Sequence, residues 1–231
     1  MTAAMTPLLE RNDQFARAYS PVPLGLPAAR VMVLTCVDHR VDPAITLGLE
    51  LGDAPVLRNA GGRVTESVIG EIAYLAFLGR RLFSGQLTED QRFEVAVIHH
   101  TQCGTGFLAD PAFRQEAAEA TGVDEAALEA SAVGDPHVTV AADVDRLLAS
   151  PLLPPMMGVS GHVYDLETGR VTTVVNTRLR LASPAKPNPA GQPARARRPR
   201  HHAAGGPALC PGSAARAKPP GPRRQQAKSR C

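Results

Sequence analysis

Cysteine is scarce: the chain of 231 residues contains four, and two of them, Cys210 and Cys231, lie close to its end. That excludes a disulfide-stapled scaffold. It leaves Cys36 and Cys103 for the part that can fold, a pair better explained in a reducing compartment by metal binding or catalysis. No run approaches the ~18 apolar residues needed to cross a bilayer, and Met1 to Asn12 lacks the continuous apolar stretch of a secretory signal. A soluble cytoplasmic protein without a membrane partner is expected. Acidic residues are missing altogether from 182–231, as are Phe, Tyr, Trp, Ile and Val. Such a segment cannot bury enough surface to offset the entropy lost on ordering.

The formal charge of +3 therefore hides a division. Residues 182–231 hold eleven Lys or Arg and ten prolines, which leaves 14 basic and 22 acidic residues in 1–181, a balance of −8. Three parts are expected: an N-terminal arm and connector over 1–29, a globular domain over 30–181, and a disordered basic Pro/Ala/Arg-rich tail over 182–231. Clustered arginine gives salt-sensitive, sequence-independent attraction to phosphates. The tail nevertheless lacks aromatic interleaving and any folded recognition motif, so it is read as a passive appendage capable of non-specific contact, not as a nucleic-acid binder.

A modest helical pattern around Leu8 to Ala18 is followed by Pro21, Pro23 and Pro27, which suits an arm and an extended connector that pack on something else, such as another subunit. The runs Val31 to Val37 and Phe93 to His100 are apolar without alternation, the pattern of strands buried on both faces of a parallel sheet. Short strands are expected at Ala54 to Leu57, Val159 to Asp165 and Val171 to Val175. Helices are expected at Thr65 to Leu82, Pro111 to Ala120 and Ala141 to Ala149. The order implies an α/β fold with a mostly parallel central sheet of about four strands flanked by helices.

In open parallel sheets, functional residues gather beyond the carboxyl ends of the strands. The first run delivers Cys36-Val-Asp38-His-Arg40 there, and the later one His99-His100-Thr-Gln-Cys103. Two thiolates and one imidazole suit a tetrahedral zinc, and three protein ligands leave a fourth position for water, as in catalytic sites. His100 is preferred to His99 because neighbouring strand residues point to opposite faces and only His100 stands two residues before Cys103 with x-x between. If the extended backbone persists past Cys36, then Asp38 and Arg40 share its side. Arg40 can then hold Asp38 ionised and oriented toward a zinc-bound water. Taken singly, each cysteine reads as a small buried hydrophobe, and Asp38 with Arg40 as a structural ion pair. The ordered combination favours a metal site.

Cys-x-Asp-x-Arg at the end of one strand and His-x-x-Cys-Gly at the end of a later one resemble the paired signatures of β-class carbonic anhydrases, and Arg58-Asn-Ala-Gly61 resembles the loop those enzymes carry after their second strand. The likeness spans roughly residues 5–178. It implies a zinc-dependent carbonate dehydratase that reversibly hydrates carbon dioxide to bicarbonate through zinc-bound hydroxide, with Cys36, His100 and Cys103 on the metal, Asp38 and Arg40 catalytic, and Asn59, Ala60, Gly61 and Gly104 in the active-site loops. It also implies a homodimer, or a dimer of dimers, with N-terminal helices reaching across to the partner. Relatives that hydrolyse carbonyl sulfide or carbon disulfide make those substrates the alternative on the same fold, and a catalytically inactive zinc-binding regulatory protein is the further one. Gly62 and Thr105 stand where relatives vary and often carry other residues. His39 is expected at the surface or an interface, and His137 and His162 show no ligand spacing and are expected to be ordinary.

Overall fold

A computed structural model of the chain describes residues 4–84 and 93–181. The tail expected over 182–231 lies outside the described residues, and with it Cys210 and Cys231. The first element is helix α1, Thr6–Ala18. The sheet is formed by β1 Val31–Cys36, β2 Val56–Asn59, β3 Glu94–His100, β4 Gly158–Tyr164 and β5 Val171–Leu179. Its order is β2-β1-β3-β4-β5, five strands where about four were expected, because both strands of the terminal hairpin join the same sheet. The first four run parallel and β5 pairs antiparallel with β4. From β1 the chain passes to β2 on one side, whereas β3 continues to β4 on the other. The crevice beyond the carboxyl ends of β1 and β3 is thus the point where the strand order reverses.

The β-branched runs are buried as their lack of alternation predicts. Met32, Leu34, Val95, Val97, Val159 and Val163 share one face and one apolar cluster with Val68, Ile69 and Ile72 of helix α3, Glu66–Phe83, and Val140, Val144 and Leu147 of helix α6, Pro136–Ala149. Fully burying each such side chain contributes about 1.5–3 kcal/mol. On the opposite face Val33, Thr35, Ala96 and Ile98 are buried too, and the Thr35 hydroxyl donates to the Ile98 carbonyl across β1 and β3 at 2.9 Å. Gly161 lets α6 approach β4: a Cβ there would stand 3.0 Å from Val144 Cγ2.

Helix starts follow side-chain caps. Thr65 accepts from the Val68 amide and opens α3. Asp135 accepts from the His137 amide, and Pro136 takes the first helical position, so α6 begins before the expected Ala141. A short helix α2, Pro43–Thr46, follows the Asp42 cap. Helices α4, Pro111–Thr121, and α5, Glu125–Ser131, complete the far side. The alanine-rich segment of α5 carries too little apolar periodicity to have announced itself.

Aromatic residues contribute to the core only at its edges, where Phe93 and Tyr164 pack against the buried clusters. Six phenylalanines and three tyrosines are present. Phe15, Tyr19, Tyr74, Phe77, Phe107 and Phe113 are exposed, while Phe83, Phe93 and Tyr164 are half-buried. Helix α1 has no buried residue and presents Leu8, Leu9 and Phe15 to solvent.

Candidate metal centre

β1 ends at Cys36 and β3 at His100, and their parallel register places both residues at one edge of the sheet. Beyond His100 the chain turns so sharply that Gln102 adopts φ 53°, a left-handed conformation uncommon for a residue with a Cβ. The turn returns Cys103 beneath the edge. The Cys36 and Cys103 sulfurs lie 3.9 Å apart, and with a ring nitrogen of His100 the three potential ligand atoms fall within 4.8 Å of one another, all on buried residues. Two sulfurs on a tetrahedral zinc stand about 3.8 Å apart when each bond is ~2.3 Å.

The imidazole also fits. His100 Nδ1 lies 2.9 Å from the Thr101 carbonyl oxygen, which can only accept, so the proton sits on Nδ1. Nε2 then carries a lone pair, and it is buried without a hydrogen-bond partner. A buried polar atom left in that state is costly unless a ligand occupies its direction. The hydrogen bond to Cys103 and burial push the Cys36 thiol up to about 12, while the same bond pulls Cys103 down to about 6 against burial, aided by the Thr105 hydroxyl. The donor set, its tautomer and its spacing all suit zinc.

Asp38 and Arg40 arrive by a different route from the one expected. The strand does not continue past Cys36; the chain turns, and the Val41 amide donates to the Asp38 carbonyl at 3.2 Å. Within that turn Arg40 folds back: its backbone amide and Nε each donate to Asp38 Oδ1 at 2.9 Å, and its Nη2 donates to Oδ2 at 2.6 Å. These bonds outweigh burial and hold the Asp38 carboxyl far below the usual carboxylate range. Asp38 Oδ2 lies 4.0 Å from His100 Nε2. Arg40 also donates to the Gln102 carbonyl at 3.1 Å, tying the two motif loops together. His39, between them, is exposed at its side chain.

The glycine pair packs against the site. Asn59 ends β2 and clasps the turn: its Nδ2 donates to the Arg63 carbonyl and its Oδ1 accepts from the Arg63 amide, both at 2.8 Å. Ala60, Gly61 and Gly62 form a tight 3-10-like turn kinked at the glycines, both of which have positive φ. At Gly62, φ is +68° and a Cβ would sit 2.9 Å from the Cys36 nitrogen; at Gly61, φ is +80° and a Cβ would meet Thr105 Oγ1 at 3.0 Å. Gly104 opens the next 3-10 segment and faces open space. Arg58 braces the opposite loop, donating to the Cys36 and Asp38 carbonyls and to Asp42.

Comparison with known proteins agrees with this geometry. The family model described as carbonic anhydrase matches residues 31–130. A carbon disulfide hydrolase of Acidithiobacillus thiooxidans is 30% identical over 64% of this chain and 79% of its own length. The crystal structure of carbonic anhydrase from Streptococcus mutans is 32% identical, with a TM-score of 0.61, over 75% of this chain and 99% of that one. This chain belongs to the β-carbonic anhydrase family. Beta-carbonic anhydrase 1 of Mycobacterium tuberculosis is 28% identical over 72% of this chain and 94% of its own length. Membership places the chain among the carbonate dehydratases, a family that uses zinc, and makes the Cys-His-Cys group its candidate metal centre.

Two contacts of this β-carbonic anhydrase are not legible in its sequence. His99 faces away from the centre, as strand alternation requires. There it joins a buried network: its Nδ1 lies 2.9 Å from Thr139 Oγ1 and its Nε2 3.2 Å from Asp143 Oδ2, the latter short of good hydrogen-bond alignment. Asp143 in turn accepts from Arg63 Nε at 2.7 Å, Arg63 Nη2 at 3.2 Å and the Val64 amide at 3.1 Å. Nothing local marks Asp143, which sits in an amphipathic helix 80 residues from Arg63. The second is Thr105, whose hydroxyl lies against Cys103. A 440 Å³ apolar cavity near Met32, Phe93 and Met157 lies at the amino end of the sheet, away from the Cys-His-Cys group.

Proposed function

We propose that this protein catalyses the zinc-dependent reversible hydration of carbon dioxide to bicarbonate. The observation that carries the reading is the convergence of Cys36, His100 and Cys103 beside an ionised, doubly clamped Asp38. The proposed ligand atoms are the two sulfurs and His100 Nε2. Zinc held there supplies Lewis-acid activation of water near neutral pH. Asp38 would accept a hydrogen bond from an activated water and orient it, and Arg40 keeps the carboxylate charged and fixed. The turn containing Asn59, Ala60 and Gly61, with Gly104 opposite, forms the wall of the site. Val41 and Val133 pack around the cysteines, with Tyr164 and Leu166 against them, an apolar flank suited to a small uncharged substrate.

Carbon disulfide and carbonyl sulfide are the second reading, supported by the carbon disulfide hydrolase relative. All three molecules are linear, with an electrophilic central carbon. Stopped-flow pH-indicator assays on zinc-loaded and chelator-treated protein, run beside sulfide-release assays, separate the readings. Carbon dioxide hydration that depends on zinc supports the first. Sulfide release in its absence supports the second, and zinc binding with neither activity supports a regulatory protein.

The working unit proposed is a homodimer, or a dimer of dimers. A helix with no buried residue and six exposed aromatic side chains both supply surface of the kind enriched at interfaces. The division into arm, zinc domain over 30–181 and passive tail belongs to the same proposal, as does a cytoplasmic location. No helix among the described residues is long and apolar enough to cross a membrane.

A further inference from the structure

The Thr105 hydroxyl has one hydrogen-bond partner among the described residues, the Cys103 sulfur at 3.2 Å. It is seated there by its surroundings. The Thr105 carbonyl accepts from the Val133 amide at 3.4 Å, and the Gly106 amide closes a turn onto the Cys103 carbonyl at 2.9 Å. The position facing the hydroxyl is Gly61, where a Cβ would approach Oγ1 to 3.0 Å and the Ser131 carbonyl oxygen to 2.9 Å. The absent side chain of Gly61 thus leaves the slot that Thr105 fills. A thiolate has lone pairs and no proton, so in this contact the hydroxyl donates. The other sulfur, on Cys36, receives the Asp38 backbone amide at 3.4 Å. Among the described residues the Asp38 amide meets the Cys36 sulfur, and the donor that a substitution can remove from the Cys103 sulfur is the Thr105 hydroxyl.

We propose that Thr105 is a positioning residue whose hydroxyl donates to the Cys103 sulfur and sets how much charge that sulfur gives to a bound metal. The inference rests on the zinc reading above. Withdrawing a hydrogen bond from a thiolate raises the energy of its lone pairs. Less energy is then needed to move an electron from sulfur to metal, and the proton competes better for the sulfur. Outer-shell partners of metal ligands typically change metal affinity by about 10–100-fold when removed.

The test uses the full chain loaded with cobalt(II), whose sulfur-to-metal charge-transfer absorption reports the sulfur donor energy directly. Thr105→Val keeps the shape and removes the donor; Thr105→Ser restores it. The valine variant is expected to bind one metal per chain, to shift the charge-transfer band to longer wavelength, and to bind zinc about tenfold more weakly in chelator competition at neutral pH. The serine variant is expected to match the parent in both. Thr105→Ala, which only removes atoms, must reproduce the shift if valine disturbs the packing. A band unmoved in both valine and alanine variants at one metal per chain overturns the proposal while leaving the zinc site intact. A parent chain that takes up neither cobalt nor zinc overturns the site reading and this inference together.

Discussion

Replacing Asp143 by alanine is expected to be among the most damaging single changes away from the metal centre. Its side chain is 2% exposed and that of Arg63 15%, so deletion leaves a mostly buried guanidinium with no counter-charge. Four contacts disappear at once: two from Arg63, one from the Val64 amide and one from His99. Removing one partner of a buried ion pair costs about 3–5 kcal/mol. At about 2–4 °C per kcal/mol for a domain of this size, the midpoint should fall by ~6–20 °C. Asp143→Asn keeps the volume and part of the hydrogen bonding and should cost less. The assays are thermal and urea unfolding followed by far-UV circular dichroism, at one fixed protein concentration so that any self-association is held constant. Acidity supplies a second reading. Burial pushes the Asp143 carboxyl up, but His99 and Arg63 outweigh it and hold the group below the usual range. A carboxyl depressed in the folded state stabilises above its unfolded value of ~3.9, and that stability is lost as pH falls below it toward the folded value. The parent should therefore lose part of its margin over alanine in acid. A loss below about 1 kcal/mol near pH 7, or a margin that does not shrink in acid, refutes this account of the network.

At the centre, Cys36→Ser is expected to abolish zinc retention in metal analysis. Asp38→Asn should retain zinc and lower kcat by about 10²–10⁴-fold, the usual reach of a positioned proton acceptor. Gly62→Ala places a Cβ 2.9 Å from backbone atoms of Thr35 and Cys36 at φ +68°. The backbone conformation alone should cost about 1–3 kcal/mol in thermal unfolding, with weaker zinc binding because the displaced strand carries a ligand. Deleting residues 182–231 should leave the hydration rate unchanged; a truncated chain without activity would show that the tail is no passive appendage.

The buried strands were legible because continuous β-branched runs have one physical explanation, a sheet covered on both faces. The three candidate ligands were legible because Cys36, His100 and Cys103 sit where two such runs end. What remained hidden was geometry fixed by turns and distant pairings. Asp38 and Arg40 meet through a tight turn with three hydrogen bonds between them, an outcome that strand alternation reached by the wrong path. The start of α6 was misplaced because the capping role of Asp135 was overlooked in favour of apolar periodicity alone. Asp143 could not be found at all, since its partners come from β3 and the loop before α3. Thr105 was noticed only as a departure from relatives, and its contact with Cys103 requires the fold of the intervening turn.

The placement of the rings gives the molecule an unusual optical character. With no tryptophan, and with Tyr19 and Tyr74 46% and 60% exposed, unfolding changes the surroundings of these two chromophores little. Their emission and near-UV dichroism are blind to the core and open to whatever settles on the outside. Tyr164 is the exception: packed against the cluster that contains Cys36 and Cys103, it is placed to register events at the metal centre. A melting curve read by intrinsic fluorescence would therefore report the interior through Tyr164 alone, at the edge of the candidate metal centre.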